Sequence, residues 1–151
     1  TRSIKNSSNE FIDVCHYYVQ IAHDMCEMTR NLQHSTTLCF NHVNNNHRPI
    51  VAVQKAELHE LFRKFSSFMH KLQHIVETRD FMRIDDMFNK QTLMIEYLNT
   101  IRKRHIQRAQ NDDINSRNTL LYIQLLADCK QIIHYSLTCV QLHRDLVQLK
   151  M

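Results

Sequence analysis

The stretch LLYIQLLADCKQIIHYSLTCVQLHRDLVQL covers residues 120–149 and decides the fold class. Neither Gly nor Pro interrupts it, and its apolar side chains recur at a spacing of about 3.5 residues, which is typical of one face of an α-helix. A half-buried strand would instead alternate apolar and polar residues. The sequence therefore predicts one long amphipathic helix with this apolar stripe: Leu121, Leu125, Ile132, Cys139, Leu142, Leu146 and Leu149.

Three further helices precede this one, and each ends at a polar link. Three Asn and the single Pro at 44–49 predict a helix stop and a turn. Shorter polar links follow near 78–80 and 111–113, where Asp80 is expected to cap the third helix and Asn115 or Ser116 to begin the fourth. The predicted helices cover roughly 9–44, 52–78, 81–110 and 115–150.

Each of these helices also carries an apolar stripe, which predicts the face that it buries. In the second helix the stripe runs from Leu58 to Ile75, and in the third it runs from Ile84 to Ile101. The first helix has the longest stripe: Phe11, Val14, Tyr18, Ile21, Met25, Met28, Leu32, Cys39 and Val43.

Short links force neighbouring helices to run antiparallel. The absence of Gly and of strand signals agrees with a protein made almost wholly of helices. We therefore predict an all-α fold, an antiparallel up-down-up-down four-helix bundle with long helices, as a single domain over residues 1–151.

The composition excludes several kinds of chemistry. A phosphate-binding loop, a dinucleotide-binding turn, a nucleophile elbow and an EF-hand loop all need Gly, which the chain lacks. No nucleophile–base pair or pair of acids has a recognisable spacing, so an enzyme is not expected. The formal net charge of +4 is modest and few aromatic residues interleave with it, which argues against nucleic acid.

The cellular context is indicated by three features. No apolar run approaches the ~20 residues of a membrane span, and no signal peptide opens the chain. The chain begins at Thr1 rather than Met, so we expect a fragment of a longer protein with a membrane part. Five Cys without C-x-x-C spacing, all beside apolar residues, predict buried free thiols in a reducing compartment.

Two polar pairs lie at i, i+4 spacing within apolar surroundings, namely Gln20 with Asp24 and Gln124 with Asp128. Asp128 falls on the inner stripe of the fourth helix and therefore needs a donor, for which Lys130 and the Tyr or Gln side chains are candidates. The two Asp are offset along the helices, so one metal bridging both is not favoured. A satisfied polar pair at each end of the seam is the preferred interpretation, and a divalent-metal site is the alternative.

Two further pairs have metal-ligand spacing at i, i+4: His70 with His74, and Cys139 with His143. His70 and His74 miss the apolar stripe of the second helix and are expected to face solvent. Cys139 and His143 supply only two ligands, which is too few for a closed metal site.

The segment RKRHIQR at 102–108 places Arg102, Lys103, Arg104 and Arg108 near the end of the third helix. Cations at this position complement the helix dipole, which is the simplest explanation. Contact with an anionic membrane surface or an acidic partner is the functional alternative.

Three segments resemble one known family: YVQIAHDMCEM at 18–28, HVNNNHRP at 42–49, and NSRNTLLYIQLLADCKQIIHYSLTCVQLHRDL at 115–146. In order and spacing they are similar to the C-terminal cytoplasmic domain, PhoU-like, of bacterial sodium/phosphate cotransporters. The resemblance implies a helical bundle attached to a transmembrane transporter, at the cytoplasmic face of the bacterial inner membrane. In PhoU itself a repeated Glu-x-x-x-Asp motif holds metal clusters. Here Gln20 and Gln124 stand at the Glu positions, which weakens binding of hard cations.

The expected function is therefore a regulatory or interaction domain without catalysis of its own. Its expected partner is the transmembrane transporter domain of the same polypeptide, with peripheral membrane contact and with pairing of two copies through 3.5-spaced stripes as further options. No cofactor is expected, apart from the divalent metal named above as an alternative. The alternative function is a soluble PhoU-type metal-binding regulator of phosphate uptake or signalling.

Overall fold

A computed structural model describes the backbone of residues 2–111 and 115–149 and the side chains of residues 11–111 and 115–149. Within these residues the chain forms four long α-helices and no strand, so the all-helical prediction is confirmed. A short 3-10 turn, Phe81–Arg83, precedes the third helix. The helices are α1 (Arg2–Asn44), α2 (Ala52–Thr78), α3 (Ile84–Gln110) and α4 (Ser116–Leu149).

The polar links end the helices by local backbone geometry. After α1 the chain turns at Asn46, whose φ of 50° lies in the left-handed region that Asn tolerates better than most residues. Arg79 adopts a similar left-handed conformation, with φ 56°, directly after α2. At the start of α4 the Asn115 side chain accepts a hydrogen bond from the Arg117 backbone N–H at 2.9 Å, as an N-cap does.

The structure does not show the capping hydrogen bond that was expected from Asp80. Asp80 precedes the 3-10 turn and makes no side-chain capping bond there. Its carboxylate instead accepts a hydrogen bond from Arg83 at 2.7 Å. The first turn of α3 carries Asp85 and Asp86, which complement the positive end of the helix dipole.

The core lies between α2, α3 and α4, and α4 contacts all of the other helices. Among its fully buried members are Ile84, Ile101, Tyr122 and Ile133, each 0% exposed. Helix α1 packs along α4 and makes no comparable contact with α2 or α3. The architecture is therefore a three-helix core with a fourth helix attached to one of its members.

Pairs of contacting residues give the direction of the helices. His47, just after the end of α1, contacts Arg117 at the start of α4, and His23 in the middle of α1 contacts the ring of Tyr135 farther along α4. These two contacts show that α1 and α4 run antiparallel. Glu57, near the beginning of α2, accepts a hydrogen bond from Tyr122, near the beginning of α4.

The stripe predicted for α1 is rotated in the structure. Val14, Ile21 and Met28 are half-buried, but Phe11, Tyr18, Met25, Leu32, Cys39 and Val43 are exposed. The positions that complete the contact with α4 are largely polar, and Asp24 is only 1% exposed. The predicted inner face of α1 was wrong because it was derived from the spacing of apolar residues, which does not reveal a buried Asp. The other half-buried positions of this seam are Tyr17, Asn31, Ser35 and Leu38.

The cysteine prediction is also corrected in part. All five thiols are free, but Cys15, Cys26 and Cys39 are exposed on α1 rather than buried. Cys129 and Cys139 on α4 are half-buried, and burial raises the pKa of the Cys129 thiol to about 12. These three thiols are exposed because α1 is rotated relative to the predicted orientation.

Two leucines of α3 test the assignment of the core. Leu98 is 3% exposed and Leu93 is 65% exposed. We expect Leu98→Ala to lower the free energy of unfolding by about 2–5 kcal/mol, because it removes buried apolar contacts and leaves a cavity. Leu93→Ala should change it by less than about 0.5 kcal/mol. Urea unfolding followed by circular dichroism measures both, and equal losses would contradict the described packing.

Candidate functional site

Asp128 is buried in the α1–α4 seam, and its partners come from α1. Its Oδ2 accepts hydrogen bonds from Ser35 Oγ and His34 Nδ1, both at 2.7 Å. Asp128 therefore has the donors that its burial requires, although they are not the expected Lys130 or Tyr side chains.

Asp24 lies in the same seam but at a different level. Its Oδ1 accepts a hydrogen bond from Gln20 Nε2 at 3.0 Å, whereas its buried Oδ2 has no hydrogen-bond partner among the described residues. Burial, together with the negative charge of Asp24, raises the pKa of the Cys139 thiol, which places Asp24 near Cys139. Cys139 is eleven residues after Asp128 on α4, a distance of about 16 Å at ~1.5 Å per residue.

The four candidate metal ligands therefore do not converge. Gln20 contacts Asp24 at one level, Asp128 contacts α1 at another, and Gln124 lines a shallow groove with Leu38 and Leu121. Within residues 11–111 and 115–149, no three His, Cys, Asp or Glu side chains are arranged to hold a metal ion. These residues do not converge on one metal ion. Gln20 and Asp24 are hydrogen-bonded to each other, whereas Asp128 is hydrogen-bonded to His34 and Ser35 of α1.

The remaining histidine pairs have other surroundings. His70 and His74 line a groove between α2 and α3 together with Lys71, Arg83, Lys90 and Asp86, and the excess of cations over the one carboxylate is unfavourable for a metal ion. His143 packs edge-on against the Phe81 ring, with ring centroids 5.8 Å apart.

A buried ion pair joins α2, α3 and α4 at the end of the molecule where α2 begins. Glu57 of α2 accepts hydrogen bonds from Arg108 of α3 at 3.1 and 2.6 Å, one on each carboxylate oxygen. Tyr122 of α4 donates a third hydrogen bond to Glu57 at 2.6 Å. Arg104 lies 3.7 Å from the same carboxylate. One side chain thus holds three helices at a fixed distance from one another.

His105 and Gln54 extend this cluster, and both are 0% exposed. Gln54 Nε2 lies 3.2 Å from His105 Nδ1, so the amide donates and the neutral imidazole carries its proton on Nε2. The His105 and Tyr122 rings are stacked obliquely, with centroids 4.5 Å apart. His105 Nε2, Arg108 Nε and Asn118 Oδ1 are buried without a partner among the described residues, so the cluster depends strongly on the ion pair.

Glu57 and His105 are among the groups of this cluster whose pKa values are shifted. Burial alone would raise the pKa of Glu57, but the hydrogen bonds from Arg108 and Tyr122 outweigh it and hold that pKa below its usual value. Burial and the positive charge of Arg108 lower the pKa of His105. Glu57 is therefore charged and His105 neutral at pH 7.

The basic segment of α3 is divided between this cluster and the surface. Arg108 is half-buried on Glu57 and Arg104 leans toward the same carboxylate. Arg102 and Lys103 are exposed. One of the four predicted contact residues, Arg108, therefore belongs mainly to the interior, whereas Arg102, Lys103 and Arg104 are exposed.

The cations of this region are concentrated at one end of the molecule, which we call the basic end: residues 45–57, 102–111 and 115–118. It holds seven Lys and Arg against one carboxylate, that of Glu57. Asp112 and Asp113, which come next to it in the sequence, lie outside the described residues. Six of the cations are exposed: Arg48, Lys55, Arg102, Lys103, Arg104 and Arg117.

Sequence reasoning missed Glu57, Gln54, His105 and Tyr122 as a cluster. A signal was present, because Glu57 stands four residues before the buried Leu61 and so falls on the inner face of α2. His105 likewise stands four residues after the buried Ile101.

Comparisons of the chain with protein-family models, with curated proteins and with solved structures found no match in any of the three. Within the described residues, no helix is long and apolar enough to cross a lipid bilayer.

Glu57→Gln tests the buried ion pair. We expect it to lower the free energy of unfolding at pH 7 by about 3 kcal/mol, because Arg108 would be left without its counter-charge in a buried cluster. Thermal or urea unfolding measures the loss. The matched control is Glu60→Gln on the same helix, whose carboxylate is exposed and pairs with Arg63 at the surface, and which should change stability little.

The Glu57–Arg108 pair also predicts how the free energy of unfolding depends on pH. Because the pKa of Glu57 is lower in the folded state, its contribution is complete above about pH 4.5 and is lost as the pH falls through the folded pKa. The stability difference between the wild type and Glu57→Gln should therefore shrink below about pH 4.5. A difference that stays constant down to pH 3 would contradict this role of the ionised carboxylate.

Proposed function

We propose that this chain is a regulatory docking domain, without catalysis of its own, that contacts an anionic surface through its basic end. The observation that carries the proposal is the concentration of seven Lys and Arg against one described carboxylate at the basic end. A cationic surface of this kind attracts anionic headgroups and acidic protein segments over about a Debye length, ~8–10 Å at physiological salt.

The geometry supports an end-on contact. The link between α1 and α2, the end of α3 and the start of α4 lie at this end, together with the exposed Arg48, Lys103 and Arg117. The Glu57–Arg108 pair fixes the three core helices beneath them. Each exposed cation contributes roughly 1 kcal/mol when it meets an anionic lipid surface.

The wider context of the proposal comes from the family resemblance. We infer that the chain is the cytoplasmic, PhoU-like domain of a bacterial sodium-dependent phosphate transporter and that its main partner is the transmembrane part of the same polypeptide. The resemblance of the Asn-rich turn at 42–49 and of the fourth helix at 115–146 supports this assignment. An up-down-up-down order of the helices and a location at the inner membrane belong to the same proposal.

The alternative, a soluble PhoU-type metal-binding regulator, has weaker support. Its candidate ligands Asp24 and Asp128 contact different levels of the α1–α4 seam. The unpartnered Oδ2 of Asp24 is the one feature that favours a cation.

Docking through the basic end is tested with lipid vesicles. We expect the chain to sediment with vesicles that contain anionic lipid but not with zwitterionic vesicles, and high salt should release it. Arg102→Gln combined with Lys103→Gln should weaken binding roughly 30-fold, on the basis of about 1 kcal/mol for each charge.

The matched control removes two cations from the side of α2, the exposed Arg63 and the half-buried Lys64, by Arg63→Gln with Lys64→Gln, and it leaves the same net charge. If both double variants lose the same affinity, the attraction is a property of total charge and docking through the basic end is excluded.

The transporter assignment is tested with the intact gene. We expect membrane-spanning segments upstream of this domain and sodium-dependent phosphate uptake in cells that express it. Arg102→Gln with Lys103→Gln should change the uptake rate at equal protein abundance, whereas the α2 control pair should not. A reading frame without membrane spans would end the transporter assignment while leaving the vesicle result intact.

A further inference from the structure

One face of α1 points away from the rest of the molecule and carries no charge. From Phe11 to Val43, ten positions recur in alternating steps of four and three residues, the heptad spacing of a coiled-coil seam. Every one of these positions is exposed, and so are the flanking Ile12, Val19 and Phe40. None of them is Asp, Glu, Lys or Arg. We call this surface the outer face of α1.

The outer face is large enough for a stable interface. Eight of its large apolar side chains are at least half exposed, from Phe11 at 68% to Val43 at 75%. Because aromatic side chains bury about 150–250 Å² and aliphatic ones somewhat less, together they present on the order of 800 Å². This matches the roughly 800 Å² per partner of a standard protein–protein interface. Exposed apolar patches beyond a few hundred Å² mark interaction sites in soluble proteins.

We propose that the outer face binds the outer face of a second copy of this chain, with the two α1 helices antiparallel. A charge-free surface suits a two-fold symmetric contact, in which each side chain meets the same kind of surface on its partner. A charged face would place like charges opposite one another across the symmetry axis. The pairing and the docking through the basic end rest on different observations, because the two surfaces share no residue.

The sizes of the side chains decide the direction of the pairing. One heptad series of the outer face is mostly large: Phe11, Tyr18, Met25, Leu32 and Cys39. The other series is small: Cys15, Ala22, Thr29, Thr36 and Val43.

An antiparallel pair with full overlap places a member of the large series against a member of the small series in every layer. Phe11 meets the partner's Val43, Tyr18 meets the partner's Thr36, and Leu32 meets the partner's Ala22. A parallel pair would instead stack large on large and small on small in alternate layers. Cores pack best when large and small residues face each other, so the antiparallel arrangement is favoured.

The same alignment brings Cys15 level with the partner's Cys39. In a parallel pair each of these thiols would face its own counterpart. In the antiparallel pair the two Cys15 thiols lie twenty-four residues apart along the seam, about 36 Å at ~1.5 Å per residue.

Thiol cross-linking tests the direction of pairing. Two variants are made, one that keeps only Cys15 and one that keeps only Cys39, with the other cysteines replaced by Ser or Ala and helicity checked by circular dichroism. A short bis-maleimide should cross-link the mixture of the two variants and neither variant alone. Cross-linking within either single variant would overturn the antiparallel arrangement.

Sedimentation velocity tests the pairing itself. We expect a reversible dimer whose dissociation constant rises roughly 100-fold with Met25→Glu, because unpaired carboxylates would enter the centre of an apolar seam. Thr37→Glu is the control, since Thr37 is exposed on the same helix but lies outside the outer face. An unchanged melting temperature of the monomer shows that both variants fold. A monomer at all concentrations, or a dimer that Met25→Glu leaves intact, would overturn the proposal.

Discussion

The ionised carboxylate of Glu57 is the interaction on which the arrangement of the three core helices depends. It is the only acidic side chain described at the basic end, and it receives hydrogen bonds from both α3 and α4. A buried carboxylate is costly unless strong donors surround it, and here a guanidinium and a phenol supply them. Apolar contacts hold α2, α3 and α4 together along their length, whereas this polar contact specifies which residues lie level with one another. It also keeps Arg108 from the surface and so limits the exposed charge of the basic end.

Helix α1 is held in a different way. It packs along α4 alone, and its contact face mixes apolar side chains with Asp24, Asn31 and Ser35. A polar seam buries less apolar area than a continuous stripe, so α1 retains a second, apolar face toward solvent. The hydrogen bonds of Asp128 to His34 and Ser35 fix the register of α1 on α4. Helix α1 therefore has two faces. A largely polar face contacts α4 and fixes the register between the two helices, and an apolar face is exposed to solvent.

Much of the fold was accessible to sequence reasoning, and most of the site was not. The helix limits followed from the Asn-rich turn and from Asn115, because these residues act through local backbone geometry. The orientation of α1 did not follow, because a buried Asp breaks the rule that apolar residues mark the inner face. The donors to Asp128 depend on the register between two helices far apart in the chain, which spacing within one helix cannot give. The inward turn of Arg108 was in principle readable, since it stands seven residues after the buried Ile101.

The two proposed surfaces constrain each other through symmetry. The basic end lies at the carboxyl end of α1, and the outer face runs along the side of the same helix. Two copies joined by antiparallel α1 helices point their basic ends in opposite directions. A dimer of this kind cannot place both basic ends on one flat membrane, although it can join two anionic surfaces. Pairing through α1 and side-by-side docking on a single membrane are therefore competing states of the same chain. The balance between them is governed by the apolar area of the outer face, which salt affects little, and by the charge of the basic end, which salt screens.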